Sequence, residues 1–523
     1  MKTLLVNPDH GYDTATPWGV LSVASYIRNV KGYPIELLDA SIDGAEKTFK
    51  NLRPRLPDYS LIGIGAFSAD APFVVSLSDM IREENPNCRI MMGGPHAILC
   101  PEQTARHKNI DFVAFGDGEE TFSGVMEQIS ATTPRWEEIP GLIYKKDGEL
   151  VRTAIPKSVP FYDTDYTLLD ERTHIHFKDN INILAGRGCP FKCTFCFTSI
   201  SDQSWRGKSA QHLEREINTL VKRYNPRKVY FRDELFFKDK QRVLDFIDIY
   251  NKNNYTFKWR TSIRATDFRE DYVNEELLKK LAAAGCECLK FGFESGSDRV
   301  LKYIKKGIKV RNIQNVVNEI KKTPQIQLNC SFLIGLPTET YEEMVATISL
   351  AAWVQSHVSN VRIIGPQYLR VYPGGKLYET IVNDYGFKAP ESLEGWKERY
   401  DDVINKQGFA DTNVTYPWHT DAESYLAKNA ELFIEFANPA GFRYIDTYKR
   451  RMLAILRPMI RLRLRYGFFR FLWDIRIAKT ILAFSIWDWA ENSKMFSSLK
   501  KTGSYQFVKR TRLYRRLVSL FIG

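Results

Sequence analysis

Apolar residues in this chain fall into two rhythms that take turns. Residues 2–6 (KTLLV) look like a buried parallel strand, and 18–29 then carry apolar positions at helical spacing. Further strands are predicted at 34–38, 60–66, 88–92 and 111–115 and a helix at 72–84, each strand ending in a polar or Gly-rich loop. This alternation predicts an α/β fold opening with a doubly wound, Rossmann-like sheet, its ligand over the carboxyl ends of the strands. A second series begins at 181, with strands at 181–186, 228–232, 257–263, 287–293, 326–334 and 361–371. Helical segments lie between them near 210–224, 240–252, 273–284, 310–322 and 340–355. Six β/α repeats predict a partial (β/α)6 TIM-type barrel, with active residues at the carboxyl ends of its strands. Residues 140–152 alternate around Asp147-Gly148, a hairpin signal, and a Pro-containing stretch to Asp170 reads as linker. The expected organisation is a Rossmann-like domain at 1–135, a linker with hairpin at 136–180, the barrel at 181–375 and a mostly helical region at 376–523.

The chemistry concentrates where the second series starts. In 185–198 (AGRGCPFKCTFCFT), Cys189, Cys193 and Cys196 stand in a CxxxCxxC spacing directly after a β-like run. Three thiolates are one short of the four usual for a [4Fe–4S] cluster, which leaves one iron open to an outside ligand. A zinc knuckle lacking its fourth ligand, or three apolar thiols, are the alternatives. Polar residues gather at the later strand ends too: Asp233-Glu234, Arg260 to Arg264, Glu294-Ser295, Gly335-Leu336-Pro337 with Glu339, and Tyr372-Pro373-Gly374. Cys286, Cys288, Cys330, Cys88 and Cys100 read as core packing. In the first series, the loops Ser68 to Ala71, Gly93 to His96 and Gly116 to Thr121 would converge on one ligand, with glycines permitting close backbone approach. No GxGxxG or GxxxxGK[ST] phosphate fingerprint is present, and ordinary tight turns remain the alternative.

The cysteine loop resembles that of the radical S-adenosylmethionine (SAM) superfamily. The phrases LLVNP, LLDA, GGPHA and GDGEETF resemble the cobalamin domain of its cobalamin-dependent members. The resemblance implies three cofactors: a [4Fe–4S] cluster on the three cysteines, S-adenosyl-L-methionine chelated to the open iron, and cobalamin. It implies reductive cleavage to a 5′-deoxyadenosyl radical that abstracts hydrogen, and, most commonly, methyl transfer from methylcobalamin to an unactivated carbon. Phe195 would flank the adenine, Glu234 with Asp233 beside it would take the methionyl ammonium, and Glu294 would reach the ribose or carboxylate. Gly335 and Pro337 belong to the turn near adenine, and Arg264 is a candidate for the methionyl carboxylate or substrate. Asn7, Ser68, Gly93, Gly94, His96, Gly116 and Glu119 are the candidate cobalamin contacts. The DxHxxG motif is absent, so the corrinoid is expected without a protein histidine below cobalt, and His10 and His96 read as loop residues. Radical cyclisation or C–C bond formation without methyl transfer is the alternative reaction, and a corrinoid-binding or redox-sensing protein that has lost catalysis the alternative of another class.

Charge changes the picture only at the end of the chain. The net charge is +12, yet residues 440–523 hold nineteen Lys and Arg against four Asp and Glu, a surplus that leaves the first 439 residues slightly acidic. Arg is interleaved there with Leu, Ile, Phe and Trp, and the longest apolar stretch without Lys or Arg, 480–490, already contains Asp488 and is too short to span a bilayer. A basic, aromatic-rich amphipathic helix of this kind suits a membrane surface. Docking of an acidic ferredoxin or flavodoxin reductant, or a helical cap, are competing readings, and no nucleic-acid module supports a nucleic-acid patch. Eight cysteines without regular pairing suggest a reducing cytoplasm, with peripheral contact on the inner face of the membrane, and the tail favours a hydrophobic small-molecule substrate.

Overall fold

The computed structural model describes residues 2–9, 16–200, 204–399, 416–438, 441, 447–469 and 471–483. His10 and the last forty residues of the basic tail therefore lie outside the described residues. The chain divides into two compact units, the first formed by residues 1–290, 304–307 and 370–417, the second by 291–303, 308–369 and 418–523.

In the first unit, five parallel strands follow the predicted rhythm: β1 (Lys2–Asn7), β2 (Glu36–Asp39), β3 (Tyr59–Gly65), β4 (Arg89–Gly93) and β5 (Phe112–Ala114). They pair in the order β2-β1-β3-β4-β5. The 140–152 hairpin extends this sheet as antiparallel β6 (Leu142–Lys146) and β7 (Glu149–Arg152), with Asp147 and Gly148 both at positive φ, as a two-residue turn requires. Each face of the sheet carries its own core. One packs Val6, Ile62, Ile64, Ile90 and Met92 against helix Ala71–Glu84, and the other packs Leu5, Leu61 and Met91 against helices Trp18–Tyr26 and Gly118–Gln128. Leu393 and Trp396 join the first of these cores. Trp396 is fully buried against the N-terminal sheet, its Nε1–H donating to Gln103 Oε1 at 2.9 Å.

The same unit holds the start of the second sheet. β8 (Ile181–Ile183) is followed by a two-residue antiparallel ribbon, β9 (Gly186–Arg187) and β10 (Arg206–Gly207), then by β11 (Lys228–Phe231), β12 (Lys258–Ser262) and the first part of β13 (Cys286–Glu294). β8, β11, β12 and β13 run parallel, with helices Ala210–Tyr224, Lys240–Lys252 and Glu275–Ala283 between them. Ser209, Asp239 and Asn274 each cap one of these helices by accepting a backbone N–H at the third helical position.

β13 runs on into the second unit, where β14 (Gln327–Ile334) and β15 (Val361–Tyr368) pair in parallel. The six-stranded order is β15-β14-β13-β12-β11-β8. Helix Tyr341–His357 opens with a Thr340–Glu343 capping box, as TETYEE in the sequence suggests. Further helices are Asp421–Lys428, Ala430–Ala437, Thr447–Tyr466 and Trp473–Ala483. The last two are joined by a buried ion pair, Arg463 Nε to Asp474 Oδ2 at 2.6 Å, with Arg463 also capping the Phe468 and Phe471 carbonyls. Among the described residues no helix is long and apolar enough to cross a membrane.

Candidate functional site

The strand predicted at 181–186 ends early because a side chain replaces the sheet. Ala185 donates its N–H to Asp233 Oδ1 at 2.7 Å, and the chain then enters the β9/β10 ribbon, whose two strands close the base of the cysteine loop. None of the three cysteines is in a disulfide; Cys193 is buried, and Cys189 and Cys196 are half-buried. Burial pushes the Cys189 thiol up, the Phe191 N–H and the Arg264 charge oppose it, and the neighbouring Cys196 and Cys193 push it further up. Three cysteine thiols on one short loop, none of them in a disulfide, fit a cluster held through thiolates. Among the described residues no three His, Cys, Asp or Glu side chains converge on the position of a single ion.

The loop is held from several sides. Arg264 lies 3.5 Å over the Phe191 ring and donates to the Lys306 carbonyl. Lys306 Nζ stands 5.7 Å from the Phe195 ring. Thr194 donates to Ile304 O at 3.0 Å and accepts from Leu377 N–H at 3.1 Å. Glu234 lies beside the loop's first residue: burial raises its carboxyl, the adjacent Asp233 charge adds to this, and the Gly188 backbone and the Arg187 charge oppose it. Asp233, in contrast, is 1% exposed and fully used by the Ala185 N–H and by Arg242 at 3.0 Å. These contacts support the base of the cysteine loop.

The candidate corrinoid residues gather at the carboxyl ends of β1, β3, β4 and β5. Ser68 Oγ lies 2.8 Å from His96 Nδ1, and both side chains are buried. Burial pulls the His96 pKa down to about 4, so the ring is neutral at ordinary pH, and its Nε2 is buried without a hydrogen-bond partner. An orphaned nitrogen at the end of a doubly wound sheet fits a site completed by a ligand. Asn7 donates to Asp39 Oδ1 at 2.9 Å. Two of the glycines are required by the protein's own packing. A Cβ on Gly94 would meet Ala66 N at 2.7 Å, and one on Gly116 would meet Pro156 Cγ at 2.5 Å, whereas Gly93 has room.

Glu119 is likewise engaged within the protein. It is 2% exposed and accepts from Arg187 Nη1 and from the Tyr162 hydroxyl, each at 2.6 Å. Burial alone would raise this carboxyl, but the Arg187 charge and the two hydrogen bonds hold it below its ordinary range. Arg206, across the ribbon from Arg187, pairs with Asp117 and donates to Val159 O at 2.9 Å. Both arginines at the base of the cysteine loop are thus fastened to the GDGEET loop. Sequence reading missed Arg187, Arg206, Asp117 and Tyr162.

In the second unit, Glu294 ends β13 at φ +65°, a left-handed conformation unusual for a non-glycine residue, and is buried. The Gly335 N–H donates to Glu339 Oε2 at 2.6 Å and its carbonyl accepts from Trp418 Nε1 at 3.2 Å, and Pro337 is buried in the same turn. Burial raises the Glu339 carboxyl to about 7. Cys286, Cys288 and Cys330 are buried.

Two family models match this arrangement, one described as the radical SAM superfamily over residues 183–351 and the other as a B12 binding domain over residues 10–126. The chain carries a B12 binding domain followed by a radical SAM domain. The radical SAM enzyme is 29% identical to an uncharacterized methyltransferase of Pyrococcus horikoshii, over 71% of this chain and 79% of that protein. It is 23% identical to the anaerobic magnesium-protoporphyrin IX monomethyl ester cyclase of a Synechocystis strain, over 62% of this chain and 66% of the cyclase, just under two thirds. Its fold matches the methyltransferase TsrM of Kitasatospora setae, solved with cobalamin and a [4Fe–4S] cluster, with a TM-score of 0.61, 16% identity and coverage of 75% of this chain and 80% of that one.

Proposed function

We propose that this radical SAM enzyme methylates an unactivated carbon of a hydrophobic, lipid-like or natural-product small molecule. When bound, the cluster supplies the electron that cleaves S-adenosyl-L-methionine and cobalamin supplies the methyl group to be transferred. The observation that carries the reading is the fastening of the cysteine loop to the GDGEET loop by Arg187 and Arg206, which ties the two cofactor-bearing segments together. Cys189, Cys193 and Cys196 would hold the cluster. Glu234 would accept a hydrogen bond from the methionyl ammonium, Phe195 would flank the adenine, and Arg264, Glu294, Gly335 and Pro337 would complete the SAM site. Ser68, Gly93 and His96, supported by Asn7, Gly94, Gly116 and Glu119, would line the corrinoid site. Module boundaries at 1–135, 136–180 and 181–375, a flavodoxin or ferredoxin as electron donor and a cytoplasmic location complete the proposal.

The experiment is mass spectrometry of the host's lipids and small molecules with and without the gene, fed methyl-deuterated methionine. A missing product that had carried the deuterated methyl supports methyl transfer and identifies the substrate as its lighter precursor. Similarity to the cyclase favours a second reading, radical cyclisation. An unlabelled missing product, differing from its precursor only in hydrogens, would replace the first reading by the second. A protein that forms no deoxyadenosine under reducing conditions would instead be a corrinoid binder.

A further inference from the structure

Helix Thr447–Tyr466 turns two different apolar stripes outward and inward. Leu453, Leu456, Ile460 and the paired Arg463 face the interior of the second unit. Met452, Ile455, Met459, Leu462 and Tyr466 are exposed, Ile455 by 80%. At about 100° per residue these five fall within roughly 80° of one another around the helix, so they form a single stripe rather than scattered surface residues. The next sector, on the side away from the buried stripe, holds Arg450, Arg451, Arg461 and Arg465, none of which is paired to a carboxylate across the helix, which contains no Asp or Glu. Beyond its end, Phe468, Phe471, Trp473 and Ile477 are also exposed.

We propose that this face docks on an anionic lipid bilayer, with the stripe from Met452 to Tyr466 entering the acyl boundary and the flanking arginines meeting lipid phosphates. Nine large apolar side chains exposed together exceed what a soluble surface ordinarily leaves open. Charge selects the occupant. The remaining tail, 484–523, has eight Lys and Arg against two acidic residues, so it is repelled by the same arginine sector, and a second copy of this face would be repelled equally. An anionic bilayer satisfies both sectors at once, each arginine near its surface adding to the attraction of the apolar stripe. The geometry is that of a helix lying in the interface rather than crossing it.

The test uses the full chain and sedimentation with vesicles of phosphatidylcholine alone or containing about one third phosphatidylglycerol. The native protein should bind the anionic vesicles and bind pure phosphatidylcholine far more weakly. Ile455→Ser with Leu462→Ser, two exposed positions, should weaken binding about tenfold or more while leaving the melting temperature and the cluster absorbance unchanged. Arg451→Gln with Arg465→Gln should remove the preference for anionic lipid while leaving the apolar contribution. Equal binding by native protein and the Ile455/Leu462 variant overturns the proposal. So does a native dimer that the same variant dissociates, or native protein that ignores anionic vesicles and binds nucleic acid instead.

Discussion

Removing the guanidinium of Arg187 should reverse the way stability depends on pH. Glu119 is buried, and its two charge-holding partners are Arg187 Nη1 and the Tyr162 hydroxyl, both at 2.6 Å. In Arg187→Met the stem still fills its space but the carboxylate is left without its cation, a change that costs about 3–5 kcal/mol in a buried pair. The native folded carboxyl lies below its ordinary value of 4.5, so its contribution is present above that pH and fades as pH falls through the lower folded value. Without Arg187, burial prevails and the folded carboxyl lies above 4.5. Its contribution is then present below that pH and is lost as pH rises through the raised value. Urea midpoints of cofactor-free native and variant protein should therefore differ widely at pH 8 and approach each other at about pH 5. Glu119→Gln should restore part of the loss when combined with Arg187→Met, because the double variant buries no uncompensated charge. A gap of the same size at both pH values, or no destabilisation at all, would refute the assignment of Arg187 as the group that holds Glu119 ionised.

Cys189→Ala, Cys193→Ala or Cys196→Ala should each abolish bound iron, the visible absorbance of the reconstituted protein and deoxyadenosine formation; an active variant would remove that cysteine from the cluster. Glu234→Ala should retain iron but weaken SAM binding by roughly ten- to a hundredfold, the worth of a hydrogen bond to a charged group, as measured by equilibrium dialysis. Unchanged affinity would place the ammonium elsewhere. His96, held neutral with a pKa near 4, should contribute stability above pH 6.5 that is lost as pH falls through 4, on the order of 3 kcal/mol. Thermal melts of His96→Gln between pH 4.5 and 7 should show a flatter slope than the native protein, and equal slopes would contradict the neutral ring.

The strands were legible because burial imposes a local pattern. β1, β3 and β4 each centre on a short apolar run, and the Asp147-Gly148 turn carries its requirement for positive φ in its two residues. The cysteine loop was legible for the same reason, since all three thiols lie within eight residues. Its supports were not. Arg187 and Glu119 are separated by 68 residues and Arg206 and Asp117 by 89, and no local periodicity reports a pair that distant. Asp233 and Glu234 are neighbours of the same chemical type, and only the backbone of Ala185 decides that one supports the loop while the other stands beside it. The glycine loops carry a second requirement that the sequence does not display. Gly94 and Gly116 look like a cradle for a ligand, yet Ala66 and Pro156 already occupy the space a side chain would take.

The indole of Trp396 has a consequence for the order in which the protein matures. The N-terminal sheet is complete in sequence by Arg152, but one of its two cores includes Leu393 and Trp396. On a ribosome adding about 5–20 residues per second, that core waits roughly 10–50 s for its last side chain. During this interval the apolar surface that Trp396 will cover stays open while the cysteine loop is being made. A chain cut before residue 396 would therefore leave one core of the first-made sheet without its last side chain.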